Sequence, residues 1–161
     1  MKINLFNRMP LQLVFSAALL VSTLFVSCDK EDDDVKDDTY TISGNSSGSQ
    51  MSPSNASTAT GTMTGSFNAR TNLLTYAIGW SNLSATAGLV QMYGGAMAGV
   101  NGTLMFPLSI TTPGVTGSAN GSITLTDAQE TDLLAGKTYY TVSSSTYPSG
   151  EIRGQITASL N

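Results

Sequence analysis

The sequence predicts a single all-β domain, an antiparallel Greek-key β-sandwich of about seven or eight short strands with one short helix. Three observations support this prediction. Short segments in which apolar and polar side chains alternate recur along the chain, glycine- and asparagine-rich turns separate them, and only one segment has the start and stop signals of a helix. The 161 residues are enough for one such domain together with a targeting segment.

Residues 1–28 have the features of a lipoprotein signal peptide. Two basic residues precede an apolar run at residues 11–26, which ends at Ser27-Cys28. Leu24-Phe25-Val26-Ser27-Cys28 resembles the lipobox, whose cysteine is lipidated and becomes the mature N-terminus. Cys28 is the only cysteine, which excludes a disulfide within one chain. We expect a signal peptide over residues 1–27 and a membrane anchor through lipid on Cys28; the alternative is an uncleaved anchor with an incidental cysteine.

Residues 28–38 form an acidic tether before the domain. They carry seven acidic side chains and two lysines, whereas residues 39–161 carry four acidic and three basic side chains. The tether is either a solvated linker or, because acids directly after a lipidated cysteine resemble the surface-export tag of some Gram-negative lineages, a signal for the cell-surface face of the outer membrane. The residues of this tag are Asp29, Lys30, Glu31, Asp32, Asp33 and Asp34. The domain lacks a basic cluster, so we expect no nucleic-acid partner.

The first strands of the domain follow from alternation. Residues 39–44 alternate polar and apolar side chains and predict a short strand. Residues 45–60 are rich in serine, asparagine, threonine and glycine and predict a long exposed loop, either a binding loop or, as we favour, slack. Residues 62–68 and 73–80 predict a hairpin, with the only tryptophan, Trp80, as a core or rim anchor rather than a ligand platform.

Three further strands are predicted, at residues 89–93, 103–110 and 117–126. Pro107 marks the second of these as an edge strand or a bulge. The glycine-rich turn at 94–102 is not a phosphate-binding loop, because no helix begins directly after it and no lysine follows. Thr126 begins a run with capping-box spacing and Gly136 supplies a C-cap, which predicts one short helix. Such an element order is typical of an immunoglobulin-like or superoxide-dismutase-like sandwich.

Residues 139–156 predict the β-hairpin around which the domain is organised. Pro148 presets φ for the second position of a turn, and Gly150 can take a positive φ. A three-residue loop places Val142 opposite Ile156 and Tyr147 opposite Glu151. Alternation then gives an apolar core face with Tyr140, Val142, Ile152 and Ile156, and a polar face with Ser143, Glu151, Arg153 and Gln155.

The same hairpin resembles part of a known family. Gly150-Glu151-Ile152-Arg153-Gly154-Gln155-Ile156, with Tyr139 and Pro148 at matching spacing, resembles the closing motif of the chordin-type (CHRD) domain, and the resemblance runs approximately from Tyr40 to Leu160. It implies an all-β fold and, in bacteria, mostly secreted or surface proteins without an established chemistry. Family members often carry His-X-His before the Asn-Gly turn and His-Thr before the closing hairpin, where this chain has Gln91-Met92-Tyr93 and Ser143-Ser144.

The strongest evidence on chemistry is that the chain has no histidine. With Cys28 committed to lipid, the usual imidazole base, the Ser-His and Cys-His pairs and almost every zinc or copper site are excluded, so we expect no metal and no cofactor. Calcium on backbone carbonyls and helix acids stays open, although no EF-hand-like spacing supports it. Glu151 and Arg153 are predicted to form a structural ion pair; alternatively, Arg153 clamps a ligand carboxylate bidentately.

Three hypotheses of function follow. We favour a surface-anchored, non-enzymatic interaction or adhesion module for an unknown extracellular protein or glycan. The second hypothesis is a histidine-free hydrolase that uses Glu151 or the helix acids Asp127, Glu130 and Asp132, although no carboxylate pair has glycosidase spacing. The third is a purely structural envelope protein. The residues of the possible ligand face are Ser143, Glu151, Arg153, Gln155, Gln91 and Tyr93.

Overall fold

The computed structural model describes residues 38–161, so the predicted signal peptide, Cys28 and the export tag lie outside the described residues. Ten strands and one α-helix follow one another in the described part. They are β1 (Thr39–Ser47), β2 (Thr60–Asn68), β3 (Leu73–Ser81), β4 (Ala87–Gly94), β5 (Thr103–Leu108), β6 (Ile110–Thr112), β7 (Gly117–Thr124), α1 (Asp127–Leu134), β8 (Tyr139–Ser144), β9 (Ile152–Gln155) and β10 (Thr157–Leu160), with a single 3-10 turn at Gly48–Gln50. No helix among these residues is long and apolar enough to cross a membrane.

All ten strands belong to one antiparallel sheet with the order β5-β4-β8-β9-β1-β2-β3-β7-β6, and β10 pairs with β1. The all-β antiparallel prediction is confirmed, but the division into the two separate sheets of a sandwich is wrong. The reason lies in β1, which is long enough to pair on one edge with both β10 and β9, the latter through Ser47 and Arg153. The sheet is therefore continuous, and its ends approach each other where β5 contacts β7.

The side chains on the inner face of this sheet form one core. On β3, Leu74, Tyr76, Ile78 and Trp80 alternate with exposed or half-buried residues and are all buried, as predicted. Trp80 is a core anchor, and its indole Nε1–H donates to the backbone oxygen of Gly114 at 3.0 Å. The same core includes residues from both halves of the sheet, so removal of apolar area from water holds the halves together.

The helix start and stop signals predicted from the sequence both flank α1. Thr126 is the N-cap of α1, with the reciprocal bonds of a capping box to Gln129. Gly136 follows the helix with φ +67°. Pro107 lies in β5, an edge strand of the sheet, as predicted.

The closing hairpin forms, but its predicted register is wrong. Val142 lies opposite Ile152, not Ile156, a shift of four residues. The predicted turn is present, since Gly150 has φ +126° and its N–H donates to the Tyr147 oxygen at 3.0 Å. This turn is the tip of a longer loop, residues 145–151, that separates β8 from β9. Because the shift is an even number of residues, the predicted apolar face still meets the core.

Candidate functional site

Strand β8 is buried along its whole length, on both faces of the sheet. Tyr140 and Val142 pack in the core. Their neighbours Tyr139 and Thr141 face away from the core, yet they are only 3% and 5% exposed. A second layer must therefore cover the outer face of this sheet, and three loops supply it: residues 48–59, 95–102 and 145–151.

A pocket of about 490 Å³ lies between these loops and the outer face. We call it the outer pocket. Strands β4, β8 and β9 contribute Tyr93, Tyr139, Thr141 and Arg153 to its wall. The loops contribute Met51, Ser52, Pro53, Ser54, Asn55, Asn101, Gly102, Thr146, Tyr147, Pro148, Ser149 and Gly150. The volume lies in the range of roughly 300–1,000 Å³ that is usual for small-molecule sites.

Three stacked side chains form the strand side of the pocket. The guanidinium carbon of Arg153 lies 3.5 Å from the centroid of the Tyr139 ring. The Tyr139 ring stacks on Tyr93, with centroids 5.0 Å apart and planes 4° from parallel. The strand order places Arg153 on β9 and Tyr93 on β4 at opposite sides of β8, so Tyr139 lies between them. The aromatic ring face stabilises the cation, and the cation fixes the ring.

Arg153 is nearly fully enclosed, with 1% of its surface exposed. Its Nη2 donates to the Met97 backbone oxygen and to Gln155 Oε1, both at 3.2 Å. Its Nη1 has no hydrogen-bond acceptor in the part of the chain that the structure describes. Burial lowers the pKa of Arg153, and the adjacent Tyr139 opposes that change. The guanidinium is thus almost entirely buried, and its partners among the described residues are all neutral.

The predicted ion pair between Glu151 and Arg153 is not formed, and that prediction was wrong. Glu151 belongs to the loop before β9 rather than to the strand, so alternation does not bring its carboxylate beside the guanidinium. Glu151 is fully buried instead. Its Oε1 accepts from Ser57 Oγ, Ser84 N and Ser84 Oγ, each at 2.7 Å, and its Oε2 accepts from Ser144 Oγ at 2.5 Å.

These four bonds explain how a carboxylate can be buried without a cation. Burial alone raises the pKa of Glu151, but the bonds from Ser144, Ser84 and Ser57 outweigh burial and hold the pKa below its ordinary value. The donors come from three separate segments of the chain, and Asn55 Nδ2 adds a bond to the Glu151 backbone oxygen at 3.0 Å. Glu151 therefore fastens the loop at 48–59 and the loop at 145–151 to each other.

Two further contacts position the remaining loop. Asn101 Nδ2 donates to the Ser52 oxygen at 2.9 Å, and the Tyr139 hydroxyl accepts from Gly102 N at 3.0 Å. The long exposed loop predicted over residues 45–60 is shorter in the structure, because residues 45–47 belong to β1 and residue 60 to β2. Residues 51–55, within the segment expected to be slack, have fixed partners on two sides of the pocket. The segment is held in place even though its composition is that of a flexible loop.

The predicted ligand-face residues divide into two groups. Tyr93 and Arg153 line the outer pocket. Gln155 Nε2 donates to the Ala96 and Gly136 oxygens at 3.0 and 2.8 Å, and Ser143 Oγ accepts from Leu89 N at 3.1 Å. Gln91 Oε1 accepts from the Tyr93 hydroxyl at 3.1 Å, which positions that ring. Together with Glu151, these last three residues shape the surroundings of the pocket.

Sequence reasoning missed Tyr139, Thr141 and Tyr147 as pocket residues. A usable signal was present in Tyr139-Tyr140-Thr141-Val142, which has no charged residue on either face. A strand of that composition is typically covered on both sides, so an outer layer was predictable. The identity of the covering loops was not, because it depends on contacts between residues 37 to 96 positions apart.

Among residues 38–161, neither a metal site nor a carboxylate pair is found at the pocket. Residues 38–161 contain no group of three or more Asp, Glu, Cys or His side chains that could hold a metal ion. The helix acids Asp127, Glu130 and Asp132 do not line the outer pocket. The polar groups of its wall are hydroxyls, amides and the single guanidinium of Arg153.

A known protein family matches most of this chain. Residues 42–156, more than two thirds of the chain, match the CHRD domain. The chain belongs to the CHRD domain family. This confirms the resemblance seen in the closing hairpin and indicates a binding-type module. Comparisons with curated proteins and with solved structures give no match.

Proposed function

We propose that this CHRD domain is a non-enzymatic binding module displayed at the cell surface, and that the outer pocket is its ligand site. The observation that carries the proposal is a buried cation in the wall of a preformed pocket, without a counter-charge among residues 38–161 and at the end of a stack with Tyr139 and Tyr93. Burying a cation costs free energy unless it is paired. The hydrogen bonds and the stacking of Arg153 offset only part of this cost, and a ligand anion would offset the rest.

The distribution of carboxylates supports binding rather than catalysis. A hydrolase of the two-carboxylate type needs both groups at the substrate, and no acidic side chain of residues 38–161 lines the outer pocket. Glu151, the acid nearest to the pocket in sequence, is fully buried and accepts four hydrogen bonds. A carboxylate in that state is a poor general base, because its lone pairs are occupied and its pKa is lowered.

Surface display rests on the sequence before the domain. Lipid on Cys28 would attach the protein to a membrane, and the acidic tag at residues 29–34 would direct it to the outer face of the outer membrane. Cys28→Ser should abolish acyl-chain labelling and release the protein from the membrane fraction. Neutralising Asp32, Asp33 and Asp34 should leave the protein lipidated and reduce its protease accessibility on intact cells. Retention of Cys28→Ser in the membrane fraction would instead support an uncleaved anchor.

A glycan and protein binding screen with residues 39–161 tests the binding function, since every described strand and the whole core lie in this segment. Tyr147→Ala removes a ring from the pocket wall, and Val115→Ala is the matched control, because Val115 is 49% exposed and does not line the pocket. A true ligand should bind the wild type and the control and bind Tyr147→Ala at least tenfold more weakly. The proposal is contradicted if the ligands bind Tyr147→Ala as tightly as the wild type, or if the protein hydrolyses them on incubation.

A further inference from the structure

The charge of the outer pocket restricts the chemistry of its ligand. Arg153 is the only charged residue in the described wall of the pocket. Its present partners are two neutral oxygens and one aromatic ring, and none of them carries a negative charge. A desolvated cation is attracted to an anion far more strongly than an exposed one, because little water screens the pair. A ligand oxygen with negative charge therefore completes the site better than a neutral oxygen.

The number of free donors indicates which anion fits. Nη2 is already engaged by Met97 and Gln155, so the two-nitrogen clamp expected from the sequence is not available in this arrangement. Nη1 has no hydrogen-bond partner among the described residues and can donate to one oxygen of an anion, but Nη1 is itself buried, so neighbouring loop side chains must move aside before the anion reaches it. A phosphate monoester carries a charge of about −1.5 to −2 at neutral pH and accepts several donors. A single guanidinium balances a single charge, which favours a carboxylate.

The rest of the wall restricts the body of the ligand. Strands β8 and β9 have hydrogen-bonded neighbours on both sides, so an extended peptide cannot add to the sheet at this place. The loops instead present the side chains of Ser54, Thr146 and Ser149 and the ring of Tyr147 around the pocket. Hydroxyl groups and an amphipathic ring suit a body that carries hydroxyls on a compact ring.

We propose that the outer pocket binds a sugar acid, with the carboxylate of the sugar accepting a hydrogen bond from Arg153 Nη1 and its hydroxylated ring lying among the loop side chains. This proposal rests on the outer pocket being the ligand site and narrows the ligand to carboxylated carbohydrate. It also explains why Gln155 and Met97 orient the guanidinium through Nη2 alone. That arrangement leaves Nη1 for the ligand.

The test is calorimetric titration of residues 39–161 with glucuronate, digalacturonate and N-acetylneuraminate, each beside its methyl ester. The ester keeps the shape of the sugar and removes its charge. At least one acid should bind, and its ester should bind at least tenfold more weakly. Because the ion pair is buried, added salt should weaken the binding of the acid only slightly. Glucose 6-phosphate and the dipeptide Ala-Ala serve as competing chemistries. Tighter binding of either one than of every sugar acid would overturn the proposal.

The variants separate this inference from the proposed function. Arg153→Lys keeps the charge but loses the planar stacking surface, so the acid-over-ester preference should fall at least fivefold. If Arg153→Lys does not fold, the wild-type comparison of acids with esters still decides. Equal binding of acid and ester refutes the sugar-acid inference alone. The same holds if no acid binds while a neutral glycan binds the wild type and loses affinity for Tyr147→Ala. Absence of every ligand sensitive to Tyr147→Ala refutes the pocket as a binding site.

Discussion

Replacing Glu151 with glutamine should destabilise the domain strongly, although the two side chains have nearly the same shape. Hydrogen bonds to a charged group contribute about 1.5–3 kcal/mol each, and those to a neutral group about 0.5–1.5 kcal/mol. Glu151 accepts four such bonds, so neutralisation weakens them by about 4 kcal/mol in total. Relief of the desolvated charge offsets part of this loss. We expect a decrease of about 2–4 kcal/mol in the free energy of unfolding at pH 7.

The geometry adds a second cost to the same substitution. If the glutamine oxygen takes the place of Oε1, its amide nitrogen faces Ser144 Oγ, which donates to Oε2 in the wild type. Ser144 Oγ already accepts from Tyr147 N at 3.3 Å. The hydroxyl must then turn its hydrogen away from the cluster, and the loop at 145–151 loses one of its attachments. Weaker binding in the outer pocket should accompany the loss of stability.

The pH dependence gives an independent check on this reasoning. The folded-state pKa of Glu151 lies below its ordinary value of 4.5, because hydrogen bonds to the ionised form outweigh burial. The stabilisation is therefore complete above pH 4.5 and is lost as the pH falls through the folded-state pKa. The difference between wild type and Glu151→Gln should be largest at pH 7 and should shrink in acid. Urea unfolding at pH 7, 5, 4 and 3 measures this difference directly.

Glu130→Gln is the control, because Glu130 lies in α1 outside the serine cluster. It should change the free energy of unfolding by less than about 1 kcal/mol at every pH, as expected for an acid in the first turn of a helix. The reasoning is refuted if Glu151→Gln is as stable as the wild type at pH 7. It is also refuted if the difference stays constant down to pH 3.

Further predictions concern the turn, the core and metal. Gly150→Val should lower the free energy of unfolding by about 1–3 kcal/mol, because φ is +126° there and an added Cβ would meet a methionine side chain. The control is Gly79→Ala, which has open space around the new Cβ and should leave the melting temperature nearly unchanged. Ile152→Ala should lower the free energy of unfolding by about 2–5 kcal/mol. Leu104 is half-exposed, so Leu104→Ala should lower it by under about 1 kcal/mol; equal losses would contradict the assignment of Ile152 to the core. Elemental analysis of the untagged domain should find no stoichiometric zinc or copper, and a chelator should not shift its melting temperature; about one metal per chain, lost together with stability, would overturn the non-catalytic interpretation.

Local signals in the sequence predicted most of the secondary structure. Alternation identified the β2–β3 hairpin and its buried face, and the capping box at Thr126 identified α1. Such features depend on residues close together in the chain, so a single sequence contains them. The continuous sheet depends on β1 pairing with β9 and β10, more than 100 residues away, and nothing local indicates on which edge a strand will close. Most strands were therefore predictable, but β10, which exceeds the predicted seven or eight strands, and the assembly of all ten described strands into one sheet were not.

The candidate site differs from its prediction for one physical reason, the length of the loop after β8. With the predicted three-residue loop, Glu151 would lie in the strand on the same face as Arg153, and the two charges would be close enough to pair. The observed loop of residues 145–151 removes Glu151 from the strand and gives it to the serine cluster. Arg153 is thereby left buried without a carboxylate from the described part of the chain. Glu151 holds this loop in place, and the loop also covers the outer pocket. The longer loop after β8 therefore both separates Arg153 from the Glu151 carboxylate and covers the pocket that Arg153 lines.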